Sequence, residues 1–182
     1  MKPLDSRAER SRSALLRAFV ELMFRSGFEN ISVQEIVAGA GTARSTFYEH
    51  FSSKEDILRA SMGHFWGVVA ACVDSSDEPA ELPRVLAHFW ESRRLADATF
   101  SGAARIILSR ALSEMIEARL HAIHQGAPLL LPYRLAAIHL AEGQMALIEG
   151  WLRGRAFARV EEMAAALHRS TRASALALLV QG

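Results

Sequence analysis

The sequence is short of the features that would place it among stapled, secreted, membrane-embedded or catalytic proteins. It has one cysteine, Cys72, in 182 residues. That excludes an intramolecular disulfide framework and fits a reducing compartment. No stretch approaches the roughly 20 apolar residues that a membrane-spanning helix needs. Lys2-Pro3-Leu4-Asp5-Ser6-Arg7 runs into further charges and not into an apolar segment, so no signal peptide is expected and the expected location is the cytoplasm. Large net charge is missing too. The formal balance is +1 overall, and residues 1–60 carry nine Lys and Arg against eight Asp and Glu. A nucleic-acid footprint would therefore have to be a local patch made by folding. There is no Gly-rich phosphate loop, no Gly-x-Ser-x-Gly and no paired-cysteine motif, so no catalytic residues and no cofactor are expected.

Period-2 alternation, solenoid-length repeats and low-complexity segments are also absent, and what remains is helical periodicity. With 51% hydrophobic residues the chain can bury a substantial core. Residues 1–6 read as a frayed arm. From about Arg7 to Ser26, Leu15, Phe19, Leu22 and Met23 recur at helical spacing, and Gly27 suits the end of that helix. A long helix follows from Ser52 or Ser53, broken by Asp74-Ser75-Ser76-Asp77-Glu78-Pro79. Others are expected over Leu82 to Leu95, Ala103 to Ile123, about Pro132 to Arg153, and about Arg159 to Val180. Residues 96–101 are ambiguous, with a short helix as one option. The fold class expected is all-α, with about nine helices.

Residues 32–55 form the most informative stretch. Ser32 and Glu35 have capping-box spacing, and Ile31 and Ile36 have that of a hydrophobic staple. Val33, Ile36 and Val37 share one face of the short helix that follows, and Gly39 and Gly41 can close it. Thr42 is placed to cap a second short helix whose Phe47 and Phe51 point to a core. Ala43, Arg44, Ser45 and Tyr48 then face outward. Helix, glycine turn, helix with small polar exposed residues is the pattern of a helix-turn-helix for a DNA major groove.

The run from Ser32 to Lys54, ending Thr-Phe-Tyr-Glu-His-Phe-Ser-Ser-Lys-Glu, resembles the DNA-binding domain of the TetR family of transcriptional regulators. The resemblance covers about Arg12 to Leu58. It implies a three-helix helix-turn-helix domain over residues 1–52 and a helical effector-binding and dimerisation domain over residues 53–182. By the same resemblance Ala43, Arg44, Ser45 and Thr46 lie at base edges. Arg44 can donate two hydrogen bonds to guanine, and Ala43 can touch a thymine methyl. Tyr48, His50 and Lys54 match positions that grip phosphate, and the helix start at Ser32 adds backbone donors. His50 equally suits a packed hinge, and Arg44 a phosphate contact. Thr42 and Ala43 depart from the family's usual aliphatic residue and serine, which leaves the helix start open.

The middle helices carry an aromatic-rich set that serves either as core or as a pocket for a mostly apolar effector. It comprises Phe65, Trp66, Phe89, Trp90, Phe100 and Met115, with Met62 and Val69 on the same helix as Phe65. His64, His88 and His139 lie among apolar neighbours and read as interior residues or pocket walls. Glu117, His121 and His124 share a helical face, but two histidines near a helix end reach that spacing by chance, and no metal is expected. Ala136, Leu140, Gly143, Leu147 and Gly150 line a stripe in which small residues alternate with leucines. With Met163 and Leu167 on the next helix, that stripe is the expected interface of a homodimer, with burial inside one chain as the alternative. The expected partners are a palindromic double-stranded operator, a small-molecule effector and a second copy. The rival readings are a constitutive DNA-binding dimer and a helical enzyme or carrier.

Overall fold

The computed structural model describes residues 3–95 and 99–180. Among them are eight α-helices: α1 (Pro3–Ser26), α2 (Val33–Ala40), α3 (Arg44–His50), α4 (Lys54–Ala70), α5 (Leu82–Glu91), α6 (Gly102–His124), α7 (Tyr133–Leu152) and α8 (Val160–Ala177). Tight 3-10 turns cover Phe28–Asn30, Ala71–Val73 and Arg93–Leu95. The fold is all-α, and the one β contact among the described residues is an isolated antiparallel bridge between Leu129 and Leu179. The expected frayed arm is replaced by helix from Pro3 onward. Proline is tolerated there because the first-turn N–H groups have no intrahelical partner. Of the ambiguous segment 96–101, residues 96–98 lie outside the described residues, while Thr99 and Phe100 are buried.

The chain divides into two compact units, Met1–Gly63 with Asp97–Leu108, and His64–Ala96 with Ser109–Gly182. In the first, α1 buries Leu15, Ala18, Phe19 and Met23. Ile36 and Val37 of α2, Phe47 and Phe51 at α3, and Ile57 and Leu58 of α4 are buried in the same unit. Gly39 lies inside α2 and does not end it. A Cβ there would come within 3.3 Å of the Ala18 Cβ, so glycine permits the close approach of α2 to α1. Glu29 supplies a device the sequence did not reveal. Its carboxylate accepts from the Ala103 N–H at 2.9 Å and so caps the start of α6. Gly102, at φ +52°, makes room, since a Cβ there would lie 2.8 Å from the same carboxylate oxygen.

In the second unit, the carbonyls left over at the end of α4 and the turn beyond it must find donors. Side chains supply them. Gln144 donates to the Val69 carbonyl at 2.9 Å and Arg172 to that of Val73 at 2.9 Å, and the His168 Nε2 lies 3.1 Å from that of Ser75. Arg119 adds an ion pair to Asp74 at 2.8 Å. Cys72 is buried in this region, and burial, seconded by the charge of Glu78, pushes its thiol up to about 12. No helix is long and apolar enough to cross a membrane among the described residues.

Candidate nucleic-acid interface

Local hydrogen bonds explain why residues 32–50 fold as two helices. The Ser32 N–H donates to the Glu35 carboxylate at 2.8 Å, and the Glu35 N–H donates back to the Ser32 Oγ at 3.2 Å. The two bonds from Ser32, that of its hydroxyl first, hold the Glu35 carboxyl below the ordinary carboxylate range. At the other end Gly41 takes the left-handed conformation, φ 62°. Its N–H reaches the Ala38 carbonyl and that of Thr42 reaches Val37. This paired closure is a Schellman motif.

That closure changes the expected start of α3. Thr42 is committed to finishing α2, so the N-cap of α3 is Ala43, which has no side-chain cap bond. Among the described residues the Thr42 Oγ1 is buried without a hydrogen-bond partner. The consequence is that Ala43, Arg44, Ser45 and Thr46 are the N-cap and first turn of α3. Ala43, Arg44 and Ser45 are exposed and Thr46 is half-buried. Phe47 and Phe51 are buried beneath them, 5.7 Å apart between ring centroids. Truncating a ring such as Phe47 to alanine costs about 3–5 kcal/mol.

Arg44 is held in place before any ligand arrives. Its guanidinium lies 5.7 Å from the Tyr48 ring centroid and one amine is 3.4 Å from the Tyr48 hydroxyl. Tyr48 is 49% exposed. His50 is half-buried in the last turn of α3, beside Phe51. Ser32 is exposed at the start of α2. At α4, Ser53 is the residue that caps, accepting from the Asp56 N–H at 3.1 Å.

Lys54, expected at a phosphate, has partners within the chain. Its ammonium donates to the Phe28 carbonyl at 2.9 Å and the Glu29 carbonyl at 3.4 Å, and lies 4.5 Å from the Phe28 ring centroid. It therefore fastens the Phe28–Asn30 turn to the start of α4. The signal for this was unreadable in sequence, because the partners are 26 and 25 residues away.

The other candidate sets divide. Met62 and Phe100 are buried in the first unit. In the second, Trp66 and Val69 are buried, Phe65 packs on Phe89 at 3.9 Å, and Trp90 stacks on Trp151 at 4.7 Å. Met115 is half-buried. His64, His88 and His139, expected inside, are exposed; His64 lies 3.7 Å from Glu81. Glu117 accepts from Arg134 at 2.9 Å and His121 stacks on Tyr133 at 4.1 Å. Of the small-residue stripe, Ala136, Leu140, Met163 and Leu167 are buried within the chain, whereas Gly143 and Leu147 are exposed and Gly150 is intermediate.

Comparison with known proteins accords with this geometry. The profile of bacterial regulatory proteins of the tetR family matches residues 15–61, which take in the second half of α1, all of α2 and α3, and the first half of α4. Residues 15–61 are thus similar to regulatory proteins of the tetR family. The chain is 41% identical over 46 residues to the HTH-type transcriptional regulator YvdT of Bacillus subtilis, covering 25% of this chain and 24% of that one. The regulator YxbF of the same organism is 32% identical over 59 residues, 32% of this chain and 16% of that one. The chain thus matches less than a quarter of the length of each of these relatives. The fold extends further. A TetR regulator from Streptococcus agalactiae aligns over 92% of this chain and 97% of its own, with TM-score 0.57 and 19% identity. NalD, described as the secondary repressor of the MexAB-OprM multidrug efflux pump in Pseudomonas aeruginosa, aligns over 90% of this chain and 94% of its own, with TM-score 0.53 and 20% identity.

Proposed function

We propose that this chain is a TetR-family transcriptional regulator, a cytoplasmic homodimer that represses transcription from a palindromic operator and releases it when a small, mostly apolar effector binds. Residues 1–52 serve as the DNA-binding part and residues 53–182 as the effector-binding and dimerisation part. The observation that carries the reading is the exposed first turn of α3, with Arg44 laid against Tyr48 above a buried Phe47. Ala43, Arg44, Ser45 and Thr46 meet base edges, Arg44 pairing with a guanine. Ser32, Tyr48 and His50 hold phosphates. Lys54 is left out of that set because its ammonium already donates to two backbone carbonyls, with one of its three N–H groups left over.

A palindromic site requires two copies, with recognition helices about 34–36 Å apart. The surface offered for pairing is the outward side of α7 and α8. It carries Leu135, Ile138, Gly143 and Leu147 on the first, and Ala166, Ala173 and Leu176 on the second, all exposed. Apolar and small residues on neighbouring helices suit a two-fold four-helix contact. The buried Ala136, Leu140, Met163 and Leu167 support those helices from within. Effector binding among Phe65, Trp66, Val69, Phe89, Trp90 and Met115 releases DNA only if the effector prefers the form that does not bind it. Repression is taken from the likeness to NalD.

A second reading is favoured by one specific observation. Phe65 on Phe89 and Trp90 on Trp151 fill space with each other, as they would in a constitutive DNA-binding dimer. Selection from a random duplex library, followed by titration with and without an apolar aromatic panel, tests both. An enriched inverted repeat released by a panel member is the expected result. An enriched repeat that no compound releases selects the constitutive dimer, and no enriched sequence removes the proposal.

A further inference from the structure

One buried polar side chain in the second unit has capacity that the fold does not use. Gln144, midway along α7, is 2% exposed among Leu140, Ala141, Met145 and Ile148, all buried. Its Nε2 donates to the Val69 carbonyl at 2.9 Å and to the Thr171 Oγ1 at 3.2 Å. Reversing the amide would set its oxygen against the Val69 carbonyl, acceptor against acceptor, so the orientation is fixed. The Oε1 is then buried, and among the described residues no donor reaches it. Buried acceptors without donors are rare in folded proteins, because water's hydrogen bond has been lost and nothing replaces it.

The position of this oxygen gives it meaning. Val69 lies in the last turn of α4, one turn beyond Phe65 and Trp66. Further along α7 from Gln144, Trp151 stacks on Trp90. The acceptor thus belongs to the helix that carries Trp151 and is tied to the last turn of the helix that carries Phe65 and Trp66; a polar group among apolar side chains is the combination by which pockets fix the orientation of small ligands. We propose that Gln144 is the polar contact of the effector site, accepting a hydrogen bond from a ligand with an apolar aromatic body and one N–H or O–H group. The inference rests on the ligand-responsive reading above and names the ligand class. Phenols, indoles and aromatic amines qualify. A carboxylate end is excluded, because it would face the carbonyl oxygen with another acceptor.

Isothermal titration of the full chain with matched probes tests this: 2-naphthol against 2-methoxynaphthalene, and indole against 1-methylindole. Each pair differs in the donor and little in the apolar body. The donor member binds at least about tenfold more tightly, since a site built to pair with a donor rejects the analogue that lacks it. Gln144→Leu abolishes the preference by weakening the donor members alone. Thr171→Val, which leaves the Oε1 untouched, retains it. Equal affinities within both pairs in the parent protein overturn the inference while the effector reading stands, and this comparison needs no variant to fold. A preference that survives in Gln144→Leu also overturns it, because another group then reads the donor. If no probe of either kind binds, the effector reading falls and the inference with it.

Discussion

Lys54→Met separates two roles that a lysine at this position could play. The ammonium donates to the Phe28 carbonyl at 2.9 Å and, at a longer 3.4 Å, to that of Glu29. A hydrogen bond involving a charged group contributes about 1.5–3 kcal/mol when well formed. One good bond and one long one, on a half-buried side chain, bring the expectation to the low end, and screening by solvent lowers it further. The ring contact with Phe28 adds roughly 0.5 kcal/mol. Methionine keeps most of the stem's apolar packing and removes only the charge and donors. The expected loss is about 1–2 kcal/mol, or about 2–8 °C in Tm for a chain of this size. Urea unfolding followed by circular dichroism reads the first quantity and a thermal melt the second. On DNA the same variant should change the slope of log affinity against log salt by less than about half a unit, because a lost phosphate contact would change it by about 0.9. A variant as stable as the parent whose salt slope falls by a full unit would refute the structural assignment and restore Lys54 to the phosphate set.

Three further outcomes are expected. Ser32→Ala removes the side-chain half of the capping box and costs about 0.5–2 kcal/mol. The Glu35 carboxyl, now held low by Ser32, should titrate at higher pH by NMR, and an unmoved titration would contradict the cause assigned. Cys72, raised to about 12, should resist thiol reagents at pH 8 in the folded protein and react in denaturant. Because its folded value lies above the unfolded one, the associated stability is complete below the ordinary thiol range and is lost as pH rises toward 12; free reaction in the native state would contradict the burial. Gly143→Arg should give monomers in sedimentation with unchanged helicity, since nothing lies within 4 Å of a Cβ at that position; a fully dimeric variant would place the interface elsewhere.

Features written in short-range spacing were legible before the structure. Ser32 and Glu35 are three residues apart and depend on nothing else, so the capping box appears as expected. Phe47 and Phe51 are one turn apart and both buried. The register of α3 was not legible, because whether Thr42 finishes α2 or starts α3 depends on its N–H reaching Val37, a backbone choice with no side-chain signature. Lys54 and Glu29 took up roles set by partners 25 to 74 residues away. The α7 stripe illustrates a further limit. That helix is apolar on nearly every side, so periodicity defines faces without saying which is inside. Ala136 and Leu140 turn inward while Leu147 and Gly143 turn out. His64, His88 and His139 misled for the opposite reason: apolar neighbours in sequence lie on other faces of the helix.

The central claim is that the first turn of α3 reads bases, and Arg44→Ala tests it most directly. On a duplex selected by the parent protein, anisotropy titrations against every single-base-pair variant of one half-site give the cost of each mismatch. With the parent, one guanine position should show a penalty of about 1–3 kcal/mol. With Arg44→Ala that penalty should vanish while those at other positions persist. If the variant shows the same penalties as the parent at every position, Arg44 reads no base and the first turn of α3 is not the reading element.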